Sequence, residues 1–191
     1  EILHEARFGY EDVLQEEEKP EMFRPHIGMD ESGKGDFFGP LVVSCVYVEQ
    51  AVARQLLEVG VTDSKRIRSD RRISDIAQEI LKLVRGQFET VVLGPEAYNR
   101  TMQKTGNLNR LLAWAHARAL ENLLERVPDC TRATLDKFAA EQTMVRALMQ
   151  KGREVELTQV PKAEADVAVA AASILARAEF ERRLKKLEDH A

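Results

Sequence analysis

The chain of 191 residues is 44% hydrophobic and 31% charged, with a formal net charge of −4. Its length suits one domain around a single core, and its apolar runs are too short to span a bilayer. No secretory leader is expected at its start. Two unpatterned cysteines, Cys45 and Cys130, are expected to be buried free thiols, which favours the cytoplasm.

The negative charge is concentrated at the beginning of the chain. Residues 1–21 contain eight acidic and two basic residues, a net charge of −6 that leaves +2 for residues 22–191. We expect residues 1–25 to form an acidic tail or linker and residues 26–191 to form the domain. A weakly positive domain is compatible with a polyanionic partner held through metal ions.

Strand-like and helix-like patterns alternate along the domain. The apolar, β-branched segments that predict strands are 26–30, 41–48, 88–93, 131–136 and 154–160. The segments that predict helices are 51–59, 70–84, 108–127, 139–152 and 163–187. Ser69 and Asn107 precede two of these helices as N-caps. Strands interleaved with helices, after two neighbouring strands, indicate an α/β domain whose sheet has an antiparallel start.

The glycine-rich segment HIGMDESGKGDFFGP, residues 26–40, allows two chemical interpretations. Its G-x-x-x-x-G-K pattern, which ends at Lys34, nearly matches a loop that cradles nucleotide phosphates. That motif continues with Ser or Thr and then a helix, whereas here Gly35 follows and the next element reads as a strand. Asp30 and Glu31 would also repel phosphates. The segment therefore predicts an acidic, metal-binding site.

Further acids stand where the surrounding pattern is apolar. Asp30 and Asp136 each end an apolar strand, and Glu164 opens a helix whose next turns are largely apolar. Each position also has an ordinary structural explanation. Asp30 and Glu31 are then a turn pair, Asp136 is a cap or turn acid, and Glu164 complements the helix dipole.

Together, however, these acids predict a metal site. Strand ends at one edge of an α/β sheet converge, so several carboxylates there would repel one another unless divalent cations neutralised them. Oxygen ligands suit Mg²⁺ or Mn²⁺, and two ions about 3.5–4 Å apart would hold a phosphodiester. Neighbouring strand residues point to opposite faces, so Asp30 and Glu31 are expected to share this site through a break in the strand.

Five segments, in this order, resemble the type 2 ribonucleases H and most closely ribonuclease HIII. They are GMDESGKGDFFGP (28–40), TDSK (62–65), NLN (107–109), LDKFA (135–139) and KAE…AAASILAR (162–177). The Gly-Lys-Gly triplet and the NLN segment resemble ribonuclease HIII, where ribonuclease HII typically has Gly-Arg-Gly.

The resemblance implies a ribonuclease H-like α/β fold, with a mixed central sheet flanked by helices. It implies an endonuclease that hydrolyses the RNA strand of RNA/DNA hybrids with two Mg²⁺ or Mn²⁺ ions and leaves 5′-phosphate and 3′-hydroxyl ends. The alternatives are ribonuclease HII-like cleavage at single embedded ribonucleotides, a DNA-directed nuclease, and a non-catalytic nucleic-acid-binding module of the same fold. The resemblance implies no membrane and no obligate protein partner.

The resemblance also implies which residues form the metal site. The expected catalytic residues and metal ligands are Asp30, Glu31, Asp136 and Glu164. Glu164 and Asp166 lie two positions apart, about 200° around a helix, so only one of them can face the site. We expect Glu164 to be the ligand and Asp166 to face solvent or to cap the apolar helix.

Substrate-binding roles follow from the same resemblance. The expected residues are Gly33, Lys34, Gly35, Ser64, Lys65 and Asn107. Main-chain groups of the first three would meet ribose 2′-hydroxyls. Ser64 and Lys65 would bind a backbone phosphate, unless they form only a capping loop. Asn107 would contact substrate or only cap its helix, and His116 is expected to be structural.

Two departures from the family concern the ends of the chain. Ribonuclease HIII enzymes usually carry an N-terminal substrate-binding domain, whereas only the acidic segment precedes the domain here. The family also continues past the final helix. We therefore expect the domain at 26–191 to lack part of the C-terminal region, with consequences for affinity and activity.

Overall fold

The computed structural model describes residues 23–36 and 39–188. The expected acidic tail, residues 1–25, lies outside this part of the chain except for its last three residues. Within the described residues, no helix combines the length and the apolar character that crossing a membrane requires.

Five strands form one mixed sheet in the order β3-β2-β1-β4-β5. Their bounds are β1 His26–Ser32, β2 Leu41–Val48, β3 Phe88–Leu93, β4 Arg132–Asp136 and β5 Glu156–Val160. The first three strands pair antiparallel, and β4 and β5 run parallel to β1. The five predicted strands and the antiparallel start of the sheet are confirmed.

Helices cover the sheet, and most were predicted from their apolar spacing. Their bounds are α1 Gln50–Glu58, α2 Asp70–Val84, α3 Pro95–Thr105, α4 Leu108–Leu124, α5 Glu141–Ala147 and α6 Val167–Glu188. The patterns missed α3, which has no buried residue and therefore no apolar stripe to reveal it. The helix predicted at 139–152 was too long, because α5 ends where Leu148 takes a non-helical conformation with ψ of 133°.

The last helix begins later than its predicted start. Ala163–Ala165 form a 3-10 turn, which is followed by Asp166. The Oδ1 atom of Asp166 accepts hydrogen bonds from the main-chain N–H groups of Ala168 and Val169, at 2.9 and 3.2 Å. This N-cap fixes the start of α6. Glu164 consequently lies in the turn before the helix and not in its first turn.

The sheet separates two apolar clusters. On one face, Ile27 and Met29 of β1 pack with buried residues of α4. On the other face, α2 and α6 pack against β2 residues such as Val46. Gly28 lies against α6, where a β-carbon would come within 2.1 Å of the Ala168 carbonyl carbon. The main chains of β1 and α6 are therefore in direct contact, and side chains of β1 alternate between the α4 face and the α6 face.

Candidate active site

The acid pair lies inside β1, near its end. The strand continues through Ser32, so the expected break at Asp30 and Glu31 is wrong. The alternation set by Ile27 and Met29 places Glu31 on the α4 face and Asp30 on the α6 face. The break is not needed for the two carboxylates to interact, because the charge of Glu31 still raises the pKa of Asp30.

The negative charge of the Asp30 carboxylate is poorly compensated by its neighbours. Burial, followed by the charge of Glu31, raises its pKa to about 6. Its Oδ1 accepts a hydrogen bond of 2.8 Å from the main-chain N–H of Glu31, and it is also hydrogen-bonded to Ser173. The Ser173 hydroxyl lies 2.7 Å from that of Ser64. These neutral donors hold the Asp30 side chain in place but supply no full positive charge.

Glu31 has the opposite environment. Burial alone would raise its pKa, but the hydrogen bond and charge of His116 and the charge of Lys34 outweigh burial and lower it. His116 Nε2 lies 3.0 Å from Glu31 Oε2, and Lys34 Nζ lies 3.7 Å from Oε1. The protein itself therefore stabilises the ionised form of Glu31.

The sequence interpretation missed that His116 contacts an acid of the site. Its side chain is fully buried, and its ring stacks on Phe138 with centroids 5.2 Å apart and 17° between the planes. Phe138 follows Asp136 by two residues, so the stack also reaches the loop after β4. The available signal was an imidazole among the alanines and leucines of a helix that is otherwise apolar on that face.

Asp136 and Glu164 meet at the 3-10 turn before α6. Asp136 ends β4, as predicted, and its Oδ1 lies 3.4 Å from the main-chain N of Ala163, which donates to it. Glu164 Oε1 lies 3.4 Å from Lys65 Nζ. Burial would lower the pKa of Lys65, but the charges of Glu164, Asp63 and Asp30 raise it overall. The Lys65 ammonium therefore interacts electrostatically with two of the predicted ligands, Glu164 and Asp30.

Asp166 has a structural role away from these acids. Besides capping α6, its Oδ2 lies 2.9 Å from Nε2 of the buried His26. The expectation that it caps the apolar helix is confirmed, whereas the alternative that it faces solvent is wrong, since its side chain is only 19% exposed.

The Gly-Lys-Gly loop follows β1 directly and lies beside the acids. Gly33 and Gly35 have φ angles of 84° and 79°, in the left-handed region that glycine adopts at little cost. A β-carbon on Gly33 would also come within 2.1 Å of the Pro40 carbonyl oxygen. The turn closes through a hydrogen bond of 3.2 Å from the Asp36 N–H to the Gly33 carbonyl. The loop is thus a tight turn that begins directly after the acid pair.

The other predicted binding loop is a 3-10 turn, Ser64–Arg66. Asp63 caps it by accepting from the Lys65 N–H at 2.9 Å, so the capping role is confirmed. The Ser64 hydroxyl is buried against Ser173, whereas the Lys65 side chain is 75% exposed. Arg177 of α6 donates to the carbonyls of Ser64 and Ile67 at 2.6 and 2.9 Å and holds the turn in place.

Asn107 has the capping role that the sequence predicts. Its side-chain oxygen accepts from the N–H groups of Asn109 and Arg110, at 2.8 and 3.3 Å. The residue is exposed, so this cap does not prevent contact with a substrate.

The donor chemistry of the four acids suits a hard divalent cation, because all of their ligand atoms are carboxylate oxygens. In residues 23–36 and 39–188, no three acid, histidine or cysteine side chains are close enough to hold a metal ion together. Asp30 is on the α6 face and Glu31 on the α4 face, with Asp136 and Glu164 joined through the turn before α6. Enclosing an ion would require Asp30, Asp136 or Glu164 to rotate toward Glu31, which His116 and Lys34 hold in place.

Comparisons with known proteins agree with this architecture. The profile of the family "Ribonuclease HII" matches residues 27–191. The chain is 44% identical over 191 residues to a ribonuclease HIII of Chlamydia pneumoniae, across 99% of this chain and 60% of that protein. It is 45% identical over 163 residues to a ribonuclease HIII of Protochlamydia amoebophila, across 85% of this chain and 53% of that protein. The chain thus spans a little over half the length of these curated relatives.

A solved structure is similar as well. A crystal structure of Bst-RNase HIII in complex with Mn²⁺ superposes with a TM-score of 0.79 and 30% identity. The match covers 88% of this chain and 55% of that one. The similarity confirms the predicted ribonuclease H-like fold, a mixed sheet flanked by helices.

Proposed function

The chain belongs to the ribonuclease HII family, and we propose that it is an endonuclease that hydrolyses the RNA strand of RNA/DNA hybrids. The observation that carries this proposal is the position of the four acids. Asp30 and Glu31 near the end of β1, Asp136 at the end of β4 and Glu164 in the turn before α6 surround one edge of the sheet. A module that only bound a polyanion would gain nothing from carboxylates at that edge, because they repel phosphates.

In the proposed reaction, Asp30, Glu31, Asp136 and Glu164 would hold two divalent ions, Mg²⁺ or Mn²⁺. When bound, such ions lower the pKa of water and stabilise negative charge on the leaving oxygen. The water oxygen bonds to phosphorus while the bond from phosphorus to the 3′-oxygen breaks, which leaves a 3′-hydroxyl and a 5′-phosphate. The similarity to a protein crystallised with Mn²⁺ supports the choice of metal class.

Residues beside the acids provide the contacts that select and orient the RNA strand. The main chain of Gly33–Gly35 meets ribose 2′-hydroxyls, the groups that distinguish RNA from DNA. The ammonium groups of Lys34 and Lys65 and the main-chain N–H of Ser64 face backbone phosphates, and the exposed Asn107 side chain contacts the duplex farther out. Because the Gly33-Lys34-Gly35 loop resembles that of ribonuclease HIII, we expect runs of ribonucleotides to be preferred over a single embedded one.

A cytoplasmic location is part of the proposal. It is supported by Cys45 and Cys130, which are buried free thiols.

The test is an incubation of the full chain with end-labelled RNA/DNA hybrid, with Mg²⁺, with Mn²⁺ and with chelator. We expect metal-dependent cuts in the RNA strand only, with duplex DNA and duplex RNA left intact. A duplex with one embedded ribonucleotide should be cut less efficiently than the hybrid. Equal or better cutting at the single ribonucleotide would favour the ribonuclease HII-like alternative, and an absence of hybrid cleavage with either metal would contradict the proposal.

A further inference from the structure

We propose that His116 is a positioning residue, which fixes the Glu31 carboxylate so that it can hold a metal ion. This inference rests on the proposed function and assigns a task to a side chain outside the expected ligand set. The contact between His116 Nε2 and Glu31 Oε2, 3.0 Å long, is its basis.

The imidazole is held on two sides. It projects from α4, a helix of 17 residues with ten of them buried, and its ring is stacked on Phe138. Lys34 Nζ lies 5.8 Å from the centroid of the same Phe138 ring and 3.7 Å from Glu31 Oε1. The histidine, the aromatic ring and the lysine thus surround the Glu31 carboxylate on the α4 face.

The second ring nitrogen indicates which tautomer is present. His116 Nδ1 is buried and has no hydrogen-bond partner within the described part of the chain. The ring with hydrogen only on Nδ1 would bury an unmet donor and set the Nε2 lone pair against a carboxylate oxygen, so the ring carries hydrogen on Nε2. The ring therefore donates through Nε2 to Oε2 of Glu31, and Oε1 remains for Lys34 or a cation.

Packing alone does not explain a histidine at this position. The neighbours of His116 on α4, such as Leu112, Ala113 and Ala117, are fully or almost fully buried and apolar. An imidazole among them leaves one nitrogen unpaired, a cost that a phenyl ring would avoid. The hydrogen bond to Glu31 offsets that cost, as expected for a side chain that orients a ligand of a metal ion.

Substitutions of His116 can separate the effect of its hydrogen bond to Glu31 from the effect of its packing in the core. His116→Phe keeps an aromatic ring on Phe138 but removes the donor, and His116→Gln keeps a donor of similar reach. His116→Asn has an amide that is too short to reach Glu31. Leu123→Val loosens α4 two turns away from the site and is the matched control for a purely structural effect.

The primary measurement is the affinity for Mn²⁺ without nucleic acid, by calorimetric titration, together with kcat and KM on hybrid. Removing the partner of a metal ligand typically weakens affinity or activity by about 10–100-fold. We expect His116→Phe and His116→Asn to weaken Mn²⁺ binding by roughly tenfold or more and to lower kcat, with KM for hybrid within about twofold. His116→Gln should recover part of the loss, and Leu123→Val should bind Mn²⁺ like the parent.

Three results would overturn the inference: unchanged Mn²⁺ affinity in His116→Phe, equal affinities in the Gln and Asn variants, or an equal loss in Leu123→Val. If His116→Phe does not fold, the comparison of Gln with Asn decides. A parent chain that binds Mn²⁺ but does not cleave hybrid would contradict the proposed function, while the Mn²⁺ affinities of the variants would still judge the role of His116.

Discussion

Asp30 and Glu31 are adjacent in sequence, yet the two faces of the sheet treat their charges in opposite ways. On the α6 face, Asp30 is half-buried beside neutral hydroxyls, and partial burial together with the charge of Glu31 raises its pKa to about 6. On the α4 face, His116 and Lys34 lower the pKa of Glu31. The protein partners of Glu31 thus favour its ionised form, whereas the surroundings of Asp30 disfavour its ionised form. Under the proposed function, Glu31 would be a ligand prepared in advance, and Asp30 a ligand whose charge the metal ion stabilises.

The largest expected effect comes from removing the charge at the end of β4, the strand that pairs with β1. Asp136→Asn leaves a neutral amide at the end of β4, where it no longer balances the charge of a cation. Because loss of a partner of a ligand costs about 10–100-fold, loss of a ligand should lower kcat on hybrid by roughly 100-fold or more. Cleavage by purified variant and parent would be compared at saturating Mg²⁺, with circular dichroism to establish equal folding. Near-parental activity would remove Asp136 from the site.

A pair of substitutions distinguishes Glu164, an expected metal ligand, from Asp166, which caps α6. Glu164→Gln should lower kcat by roughly 10–100-fold, less than Asp136→Asn if Glu164 is the outermost ligand. Asp166→Asn keeps a side-chain cap for α6 and should leave kcat within about threefold, although it weakens the contact with His26. Both variants would be assayed over a range of Mg²⁺ concentrations. A greater loss in Asp166→Asn would move the fourth ligand to that position.

The contact between β1 and α6 sets the geometry of the Asp30 face and can be tested by overpacking. Gly28→Ala places a β-carbon 2.1 Å from the main chain of Ala168, so the helix has to move away. We expect a loss of about 3 kcal/mol in the free energy of unfolding, measured with urea. Gly86→Ala is the control, since Gly86 has a positive φ of 86° but open space around it, and it should cost about 1 kcal/mol. Equal losses would show that the close approach is unimportant.

The smallest expected effect is a pH dependence at the other end of β1. Burial would lower the pKa of His26, but its hydrogen bond with Asp166 and the charge of that residue raise it above 6.5. The stabilisation is therefore complete below pH 6.5 and is lost as pH rises through the folded-state pKa. The difference in unfolding free energy between parent and His26→Gln, measured without metal, should shrink from pH 6 to pH 8. If the difference in unfolding free energy grew from pH 6 to pH 8, the pKa of His26 would be lowered on folding and not raised.

Much of the scaffold could be predicted from the sequence because its signals are local. Apolar alternation found the five strands, and the caps Ser69 and Asn107 marked the beginnings of α2 and α4. The same patterns left two roles open for Asp166, capping the apolar helix or facing solvent, and predicted a helix start at Ala163, because Ala163, Glu164 and Ala165 favour a helix. Only the competing cap hydrogen bonds decide that boundary.

The acids of the site could be named from the sequence, but their surroundings could not. The inward orientation of Ser64 depends on Ser173, which is 109 residues later in the chain, and the state of Glu31 depends on His116, which is 85 residues later. Such pairs form only when helices dock on both faces of the sheet. The predicted break at the acid pair is also unnecessary. Because β1 ends at Ser32, Asp30 and Glu31 lie near the same edge of the sheet, one on each face.

The contacts of Arg177 and Ser173 with the 3-10 turn at Ser64–Arg66 have a consequence for which duplexes would fit the site. These residues are four positions apart on α6, and both bind the turn that carries Lys65. Arg177 donates to main-chain carbonyls of the turn, and the Ser173 hydroxyl is hydrogen-bonded to that of Ser64. Ser173 is also hydrogen-bonded to Asp30, so hydrogen bonds link the turn, the helix and the acid. Under the proposed function, the spacing between this turn and Asp30 would select duplexes by the interval between their phosphates, whatever their base sequence.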